Sequence, residues 1–326
     1  MSQLLAPLTA FAAALFLVWW LAGSRLSELI VDRPNPRSLH EIPVPRTGGL
    51  GLHTGFLLAV GVIAAALPYA LWASFGMLLL ISFLDDAKGV PTVARLVAHL
   101  AASGVFAWAV LYADYGWTMT AIVTLAIAWM ANLYNFMDGS DGLAGAMATI
   151  GFSAYGAAAW QAGSTEFALV NLSLAAAASA FLCFNWHPAR IFMGDAGSVP
   201  LGFLAAALGL IGWRQGDWTW WFAPLVFAPF IVDASVTLAR RLARRERVWE
   251  AHRDHYYQRL VQLGWGHRKT ALAESAVMAA GGLVALGALA LSPALQAAVL
   301  AGATAIYGVF IALIEVKWRQ TAGHGE

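Results

Sequence analysis

Residues 117–145 read WTMTAIVTLAIAWMANLYNFMDGSDGLAG. Two kinds of sequence meet in this stretch. The first part is apolar and carries no charge before Asp138, the character a helix needs to cross the roughly 30 Å hydrocarbon core of a bilayer. The second part is a turn-forming string of glycines and a serine around two aspartates, Asp138 and Asp141. An apolar span that runs into an acidic, glycine-rich loop is a membrane helix that delivers polar groups to one membrane surface. The same grammar recurs at FLDDAKG (83–89), which closes an apolar run, and at FMGDAGS (192–198), which opens one.

Composition agrees with this reading along the whole chain. Of 326 residues 60% are hydrophobic and 11% are charged, against about 25% charged in soluble globular proteins. That excludes a soluble enzyme, a disordered tail and a nucleic-acid binder that relies on a basic surface. The single cysteine, Cys183, excludes an intrachain disulfide and a cysteine metal cage. Apolar runs near 4–23, 48–68, 69–84, 92–112, 117–135, 142–161, 166–184, 198–213, 217–237, 271–291 and 295–314 predict an all-α polytopic membrane protein of about eleven transmembrane helices. The runs at 69–84 and 198–213 are short and are expected to continue into their flanks. The first run has no positive residue before it, so it reads as a retained anchor rather than a cleaved signal. Residues 1–326 read as one membrane-embedded domain, with one sizeable loop at about 238–270.

Orientation follows from lysine and arginine placement. With that span count, every one of the 19 basic residues except Arg214 falls on one side. That side is expected to be cytoplasmic, with the N-terminus periplasmic and the C-terminus cytoplasmic. Trp218, Trp220 and Trp221, at the outer end of the ninth run, read as an aromatic belt.

Ionisable groups near membrane depth are costly and point to function. Here Asp85, Asp86, Asp138, Asp141 and Asp195 all fall at the inner ends of spans, beside Asn132 and Asn135, with His252, Asp254 and His255 in the loop. Taken alone, each has a plain alternative: Asp85-Asp86 as a helix cap, Asp138-Gly-Ser-Asp141 as a turn, Asp195 as an N-cap. Asp233 reads as a partner for the arginines from Arg240 onward, that arginine run as a topology anchor, and His40, His99 and His187 as peripheral. Joint placement on one face is what a scaffold does not require. Carboxylates and amides are the hard oxygen ligands of Mg²⁺, glycines let backbone amides approach phosphate, and Arg46, Lys88 and Arg95 supply positive charge. The sum is a site for a metal and two phosphate groups.

The ordered motifs SLHEIPVPRTGG, FLDDAKG, NLYNFMDGSDGLAG, FMGDAGS and HRDHYYQRL, spanning about residues 33–270, resemble the polyprenyl-phosphate N-acetylhexosamine-1-phosphate transferase superfamily. The resemblance implies a multi-pass enzyme of the bacterial cytoplasmic membrane with its active site on the cytoplasmic side. It implies transfer of a sugar 1-phosphate from a UDP-N-acetylhexosamine to undecaprenyl phosphate with release of UMP, Mg²⁺ as cofactor with Mn²⁺ as a substitute, and a homodimer. Residue by residue, it implies that Asp85 and Asp86 are catalytic, that Asp195 and Asn135 hold the metal, that Asp138, Asp141 and His255 bind the nucleotide sugar, and that Arg95 lies at the lipid phosphate. Placement beside these motifs adds Asn132 and Arg46 as expected nucleotide-sugar residues and Lys88 as an expected lipid-phosphate residue. Relatives that act on GlcNAc carry further histidines where this chain has Tyr257 and Gln258. That departure resembles the branch that starts O-antigen on 6-deoxy or diacetamido sugars, with UDP-GlcNAc as the alternative donor. A transporter of lipid-linked sugars is the reading from another class; its substrate site would sit near the midplane between repeated halves, and no repeat is visible.

Overall fold

A computed structural model describes residues 5–24, 30–32, 43–63, 65–247 and 252–322. Arg25, Arg33 and Arg37 of the charge count, and residues 38–42 of the first motif with His40, lie outside the described residues. Twelve α-helices account for nearly all of the structure: α1 (Ala6–Gly23), α2 (Gly48–Ile63), α3 (Tyr69–Lys88), α4 (Thr92–Phe136), α5 (Leu143–Gln161), α6 (Thr165–Asn185), α7 (Asp195–Gln215), α8 (Phe222–Val226), α9 (Ala228–Ala243), α10 (Tyr256–Leu260), α11 (Gly266–Ala288) and α12 (Pro293–Ala322). Strands β1 (Val31–Asp32) and β2 (Val44–Pro45) pair antiparallel, Val31 opposite Pro45.

Seven helices among the described residues are long and apolar enough to cross a membrane. Among the described residues most of each apolar run falls on helix, though not one run to one helix. The two runs at 92–112 and 117–135 share α4, whose path breaks at Gly116 (φ 69°, ψ −172°), a conformation open to glycine and costly to other residues. His99 lies 3.2 Å from Asn132 across that break, so the halves of α4 fold back on each other. The runs at 69–84 and 198–213 do extend into their flanks as α3 and α7. The expected loop at 238–270 is mostly helical, because α9 continues to Ala243 and α10 begins at Tyr256.

Close packing relies on small residues. Ala6, Ala10 and Ala14 are buried along one face of α1, and a methyl group on Gly55 of α2 would come 2.7 Å from Ala14. Such contacts let helices approach closely where hydrophobic sorting gives no help. The central helix is α7, packed against α3 and α4 and buried along most of its length. Its 21 residues, at about 1.5 Å each, place Asp195 one hydrocarbon thickness from Gln215. The tryptophans expected in an outer belt are mostly interior. Trp218 is buried and donates from Nε1 to the Gly209 carbonyl at 3.0 Å, and Trp221 is buried and donates to Gln296 at 3.2 Å. Only Trp220, 69% exposed, fits a belt position.

Candidate active site

Neighbouring residues on a helix point about 100° apart, and the last turn of α3 uses that to give two aspartates different tasks. Asp86 is buried and accepts from the backbone N–H of Asp195 at 3.1 Å and of Ala196 at 2.8 Å. It thereby caps the first turn of α7 from another helix, where free amides and the helix dipole favour an anion. Asp85 Oδ1 accepts from the Val90 N–H at 2.6 Å, and its Oδ2 lies 2.5 Å from Arg95 Nη1. The same Nη1 is 3.3 Å from Asp195 Oδ2. One guanidinium nitrogen therefore joins acids from α3 and α7.

The opposite wall is the PRTGG segment. Phe192 N–H donates to the Pro45 carbonyl at 2.7 Å, and Gly48 and Gly49 donate to the Phe192 and Met193 carbonyls, each at 2.9 Å. A methyl group on Gly49 would sit 2.2 Å from Gly197 Cα, so the pair of glycines is what lets this segment seat on α7. Seating it brings Arg46 to Asp86, with Nη2 donating to the Asp86 carbonyl at 2.9 Å and Nε 3.5 Å from Oδ1.

Beyond α4, the Asp-Gly-Ser-Asp loop is stitched to the segment before α7. Asp141 Oδ2 lies 2.7 Å from His187 Nδ1 and accepts from the Ala189 N–H at 3.1 Å; Gly142 N–H donates to Asn185 at 3.0 Å. Asn135 Oδ1 accepts from Ser198 Oγ at 2.7 Å, which ties α4 to the first turn of α7. Burial, followed by the charges of Asp195, Asp86 and Asp141, pushes the Asp138 carboxyl well above the usual carboxylate range. A crowd of acids raising one another in this way is a place where a cation lowers the energy.

The structure thus brings Asp85, Asp86, Asp138, Asp195, Asn135, Arg46 and Arg95 together at one end of the bundle. Lys88 is exposed at the end of α3 and makes none of the contacts that join them. Asn132 faces His99, and its amide nitrogen donates to the Ala128 carbonyl at 2.7 Å.

His255 is buried and approaches through α10. Asp233 does not pair with the arginines; it accepts from the N–H groups of Tyr256 at 2.9 Å and Tyr257 at 3.0 Å and lies 3.2 Å from His255 Nδ1. Of those arginines Arg240 binds Glu315 of α12, as Arg259 does at 2.9 Å, while Arg241 and Arg244 pair with Glu246. The Tyr257 hydroxyl donates to the Phe136 carbonyl at 3.1 Å, beside the acidic loop. His99 and His187, read from the sequence as peripheral, Asp233, read as a partner of the arginines, and Ser198, given no reading, are the further participants. Ser198 stands inside a quoted motif; the others carry no local signal.

As a divalent-cation site, no three His, Cys, Asp or Glu side chains converge as a ligand set among the described residues. Mg²⁺ bound with phosphates takes only one or two protein carboxylates. The oxygens of Asp195, Asp85 and Asn135 are that chemistry, and Arg95 already stands between two of them as a positive charge. The residues fit.

Fold and site define a polytopic membrane protein with an anion-handling, acid-lined face. The glycosyl transferase family 4 model matches residues 68–213, the stretch from the start of α3 to near the end of α7. A decaprenyl-phosphate N-acetylglucosaminephosphotransferase of Mycolicibacterium smegmatis is 29% identical over 99% of this chain and 90% of its own length. A Bacillus subtilis protein described as a probable undecaprenyl-phosphate N-acetylglucosaminyl 1-phosphate transferase is 27% identical, covering 74% of this chain and 72% of its own. The undecaprenyl-phosphate alpha-N-acetylglucosaminyl 1-phosphate transferase of Escherichia coli K12 is 26% identical over 80% and 76%. The family model and these relatives together support the polyprenyl-phosphate N-acetylhexosamine-1-phosphate transferase superfamily, the one that the motifs resemble.

Proposed function

We propose that this protein transfers N-acetylglucosamine 1-phosphate from UDP-N-acetylglucosamine to a polyprenyl phosphate such as undecaprenyl phosphate, at the cytoplasmic face of the bacterial inner membrane, to start a cell-surface polysaccharide. The observation that carries the reaction class is the junction at the start of α7, where Asp85, Asp86 and Asp195 meet Arg46 and Arg95. Two phosphate-bearing substrates need both signs of charge within a few ångströms, and this end of the bundle offers them.

In the reaction, an oxygen of the lipid phosphate forms a bond to the sugar-bearing phosphorus. The bond between that phosphorus and the oxygen of UMP breaks, and UMP leaves with the electron pair. Phosphoryl transfer is mainly positioning and charge neutralisation. Arg95 faces the acceptor phosphate, and Asp85 takes its remaining proton, a modest task for a group with a second pKa near 6. Asp86 works indirectly, by holding the first turn of α7 and hence Asp195. The loop from Asp138 to Asp141 and the α10 segment with His255 close over the nucleotide sugar. Mg²⁺ held by Asp195 and Asn135 would offset the charge that develops on the diphosphate.

The named relatives favour N-acetylglucosamine over the 6-deoxy or diacetamido sugars expected from the loop pattern. The geometry takes weight from that pattern. Tyr257 is fully buried, with its hydroxyl on Phe136, and Gln258 Oε1 accepts from the His255 N–H at 3.3 Å. Both residues serve the loop's own structure, which leaves little of either to read a sugar. The second reading rests on the Tyr257-Gln258 replacement itself, and the same assay decides between them.

Purified protein in detergent, given undecaprenyl phosphate and Mg²⁺, is expected to release UMP from UDP-N-acetylglucosamine faster than from the 6-deoxy or diacetamido donors. Release should need the lipid and Mg²⁺ and should fall about 10²–10³-fold in Asp195→Asn, the scale for losing one charge-stabilising group. Folded protein that releases no UMP from any of these donors would overturn the proposal. A preference for a diacetamido donor would replace the sugar and keep the reaction.

A further inference from the structure

Arg95 sits on the first turn of α4 with one nitrogen, Nη1, 2.5 Å from Asp85 Oδ2 and 3.3 Å from Asp195 Oδ2. Two carboxylate oxygens from different helices thus converge on one point, and the guanidinium occupies it. The Asp85 carboxylate keeps the Val90 N–H as a second partner, and the backbone of Asp195 is held by Asp86. The Arg95 side chain is about a third exposed, more than either acid, so it can leave toward solvent while the two acids stay. Arg46, the other cation here, is committed to Asp86 by the bond to its carbonyl and the 3.5 Å approach to Oδ1. The carboxylates of Asp85, Asp86 and Asp195 therefore face two guanidinium groups, and exchanging Arg95 for a divalent ion raises the opposing charge.

We propose that Arg95 is the resident counter-ion of the Asp85–Asp195 pair, that a divalent cation displaces it, and that the released guanidinium then receives the phosphate of the lipid acceptor. This rests on the proposed phosphotransferase reading, in which that phosphate and a divalent cation meet at α7. Metal and acceptor then bind cooperatively. The cation frees the arginine that the phosphate needs, and the phosphate keeps the arginine from returning, so each ligand strengthens the other by the same factor.

The test measures Mn²⁺ binding to the full chain in detergent without substrate, by the loss of the free-ion electron paramagnetic resonance signal. An apparent dissociation constant is the intrinsic one divided by the fraction of sites not blocked, so Arg95→Gln is expected to bind Mn²⁺ roughly tenfold more tightly than the parent. Arg95→Lys keeps the charge and guards against a folding artefact; its affinity should lie between the two. Without metal, Arg95→Gln should melt at a lower temperature, and saturating Mn²⁺ should close that gap. A short-chain polyprenyl monophosphate should tighten Mn²⁺ binding several-fold in the parent and little in Arg95→Gln. Equal or weaker Mn²⁺ binding by Arg95→Gln, with Asp195→Asn binding more weakly than the parent, would overturn the exchange and leave the metal reading intact. No Mn²⁺ binding by either the parent or Arg95→Gln would overturn both.

Discussion

A methyl group added to Gly49 would lie 2.2 Å from Gly197 Cα and 2.7 Å from the Met193 carbonyl oxygen. Both neighbours are backbone, so neither can rotate away. Gly49→Ala is therefore expected to cost about 1–3 kcal/mol, the usual range for forced overpacking, read as a lower melting temperature in detergent. Because the same segment carries Arg46 to Asp86, UMP release should fall as well. Gly61→Ala is the control, since nothing lies within 4 Å of a methyl group there, and it should leave both readouts unchanged. At Asp85 the structure shows one oxygen spent on Val90 and the other on Arg95. If this carboxylate takes the lipid proton, Asp85→Asn should lower the rate of UMP release by about 10²–10⁴-fold, the range for general-base help. Release near the parental rate would leave Asp85 with a placing role only.

The five residues of α10 are too few to form a helix unaided, and α10 is held from outside. Asp233 receives the N–H groups of Tyr256 and Tyr257, and Gln258 returns to the N–H of His255. Asp233→Ala leaves those buried donors without an acceptor, at about 1–3 kcal/mol. Faster hydrogen exchange across residues 255–260, with exchange in α5 and α6 unchanged, is the expected signature. Tyr257→Phe removes one hydroxyl bond to Phe136, worth about 0.5–1.5 kcal/mol. If Tyr257 serves the loop and not the sugar, this variant should scale kcat/KM for every UDP-sugar by the same factor. A change in the ranking of donors would assign Tyr257 to sugar recognition. The segment was legible as a motif, whereas its anchor on Asp233 was not. A carboxylate a short distance before an arginine run looks like their partner until the fold turns it toward α10.

Along α7 the molecule has two chemically different ends. Asp195 opens the helix among acids and arginines; past Gln215 the chain meets Trp218 and the exposed Trp220. The basic-residue bias predicts that the acid end faces the cytoplasm. In a Cys183→Ser background, a cysteine at Lys88 should react with a membrane-impermeant maleimide in inside-out vesicles and be shielded in intact cells. A cysteine at Trp220 should show the reverse. Matching behaviour at both positions would contradict the orientation and move the site away from nucleotide sugars in the cytosol.

Composition and hydropathy alone determined that this is an all-helical membrane protein, because the cost of burying charge in lipid is a local sum that any window of sequence records. The acidic motifs were equally legible, since Asp and Gly gathered at the same end of several spans exceed what caps and turns require. Assignments that depend on distance were not. Asp86 and Asp195 are 109 residues apart, yet the carboxylate of one caps the first turn begun by the other. His187 meets Asp141 across 46 residues, and Arg95 meets Asp195 across 100. The hairpin within α4 depends on a single glycine whose backbone angle is visible only once the chain is folded. Which tryptophans line the interior was settled by the space that Gly212 leaves for Trp218. Periodicity and composition measure each residue against solvent and lipid; the partners were chosen by close packing among helices, which no local sum contains.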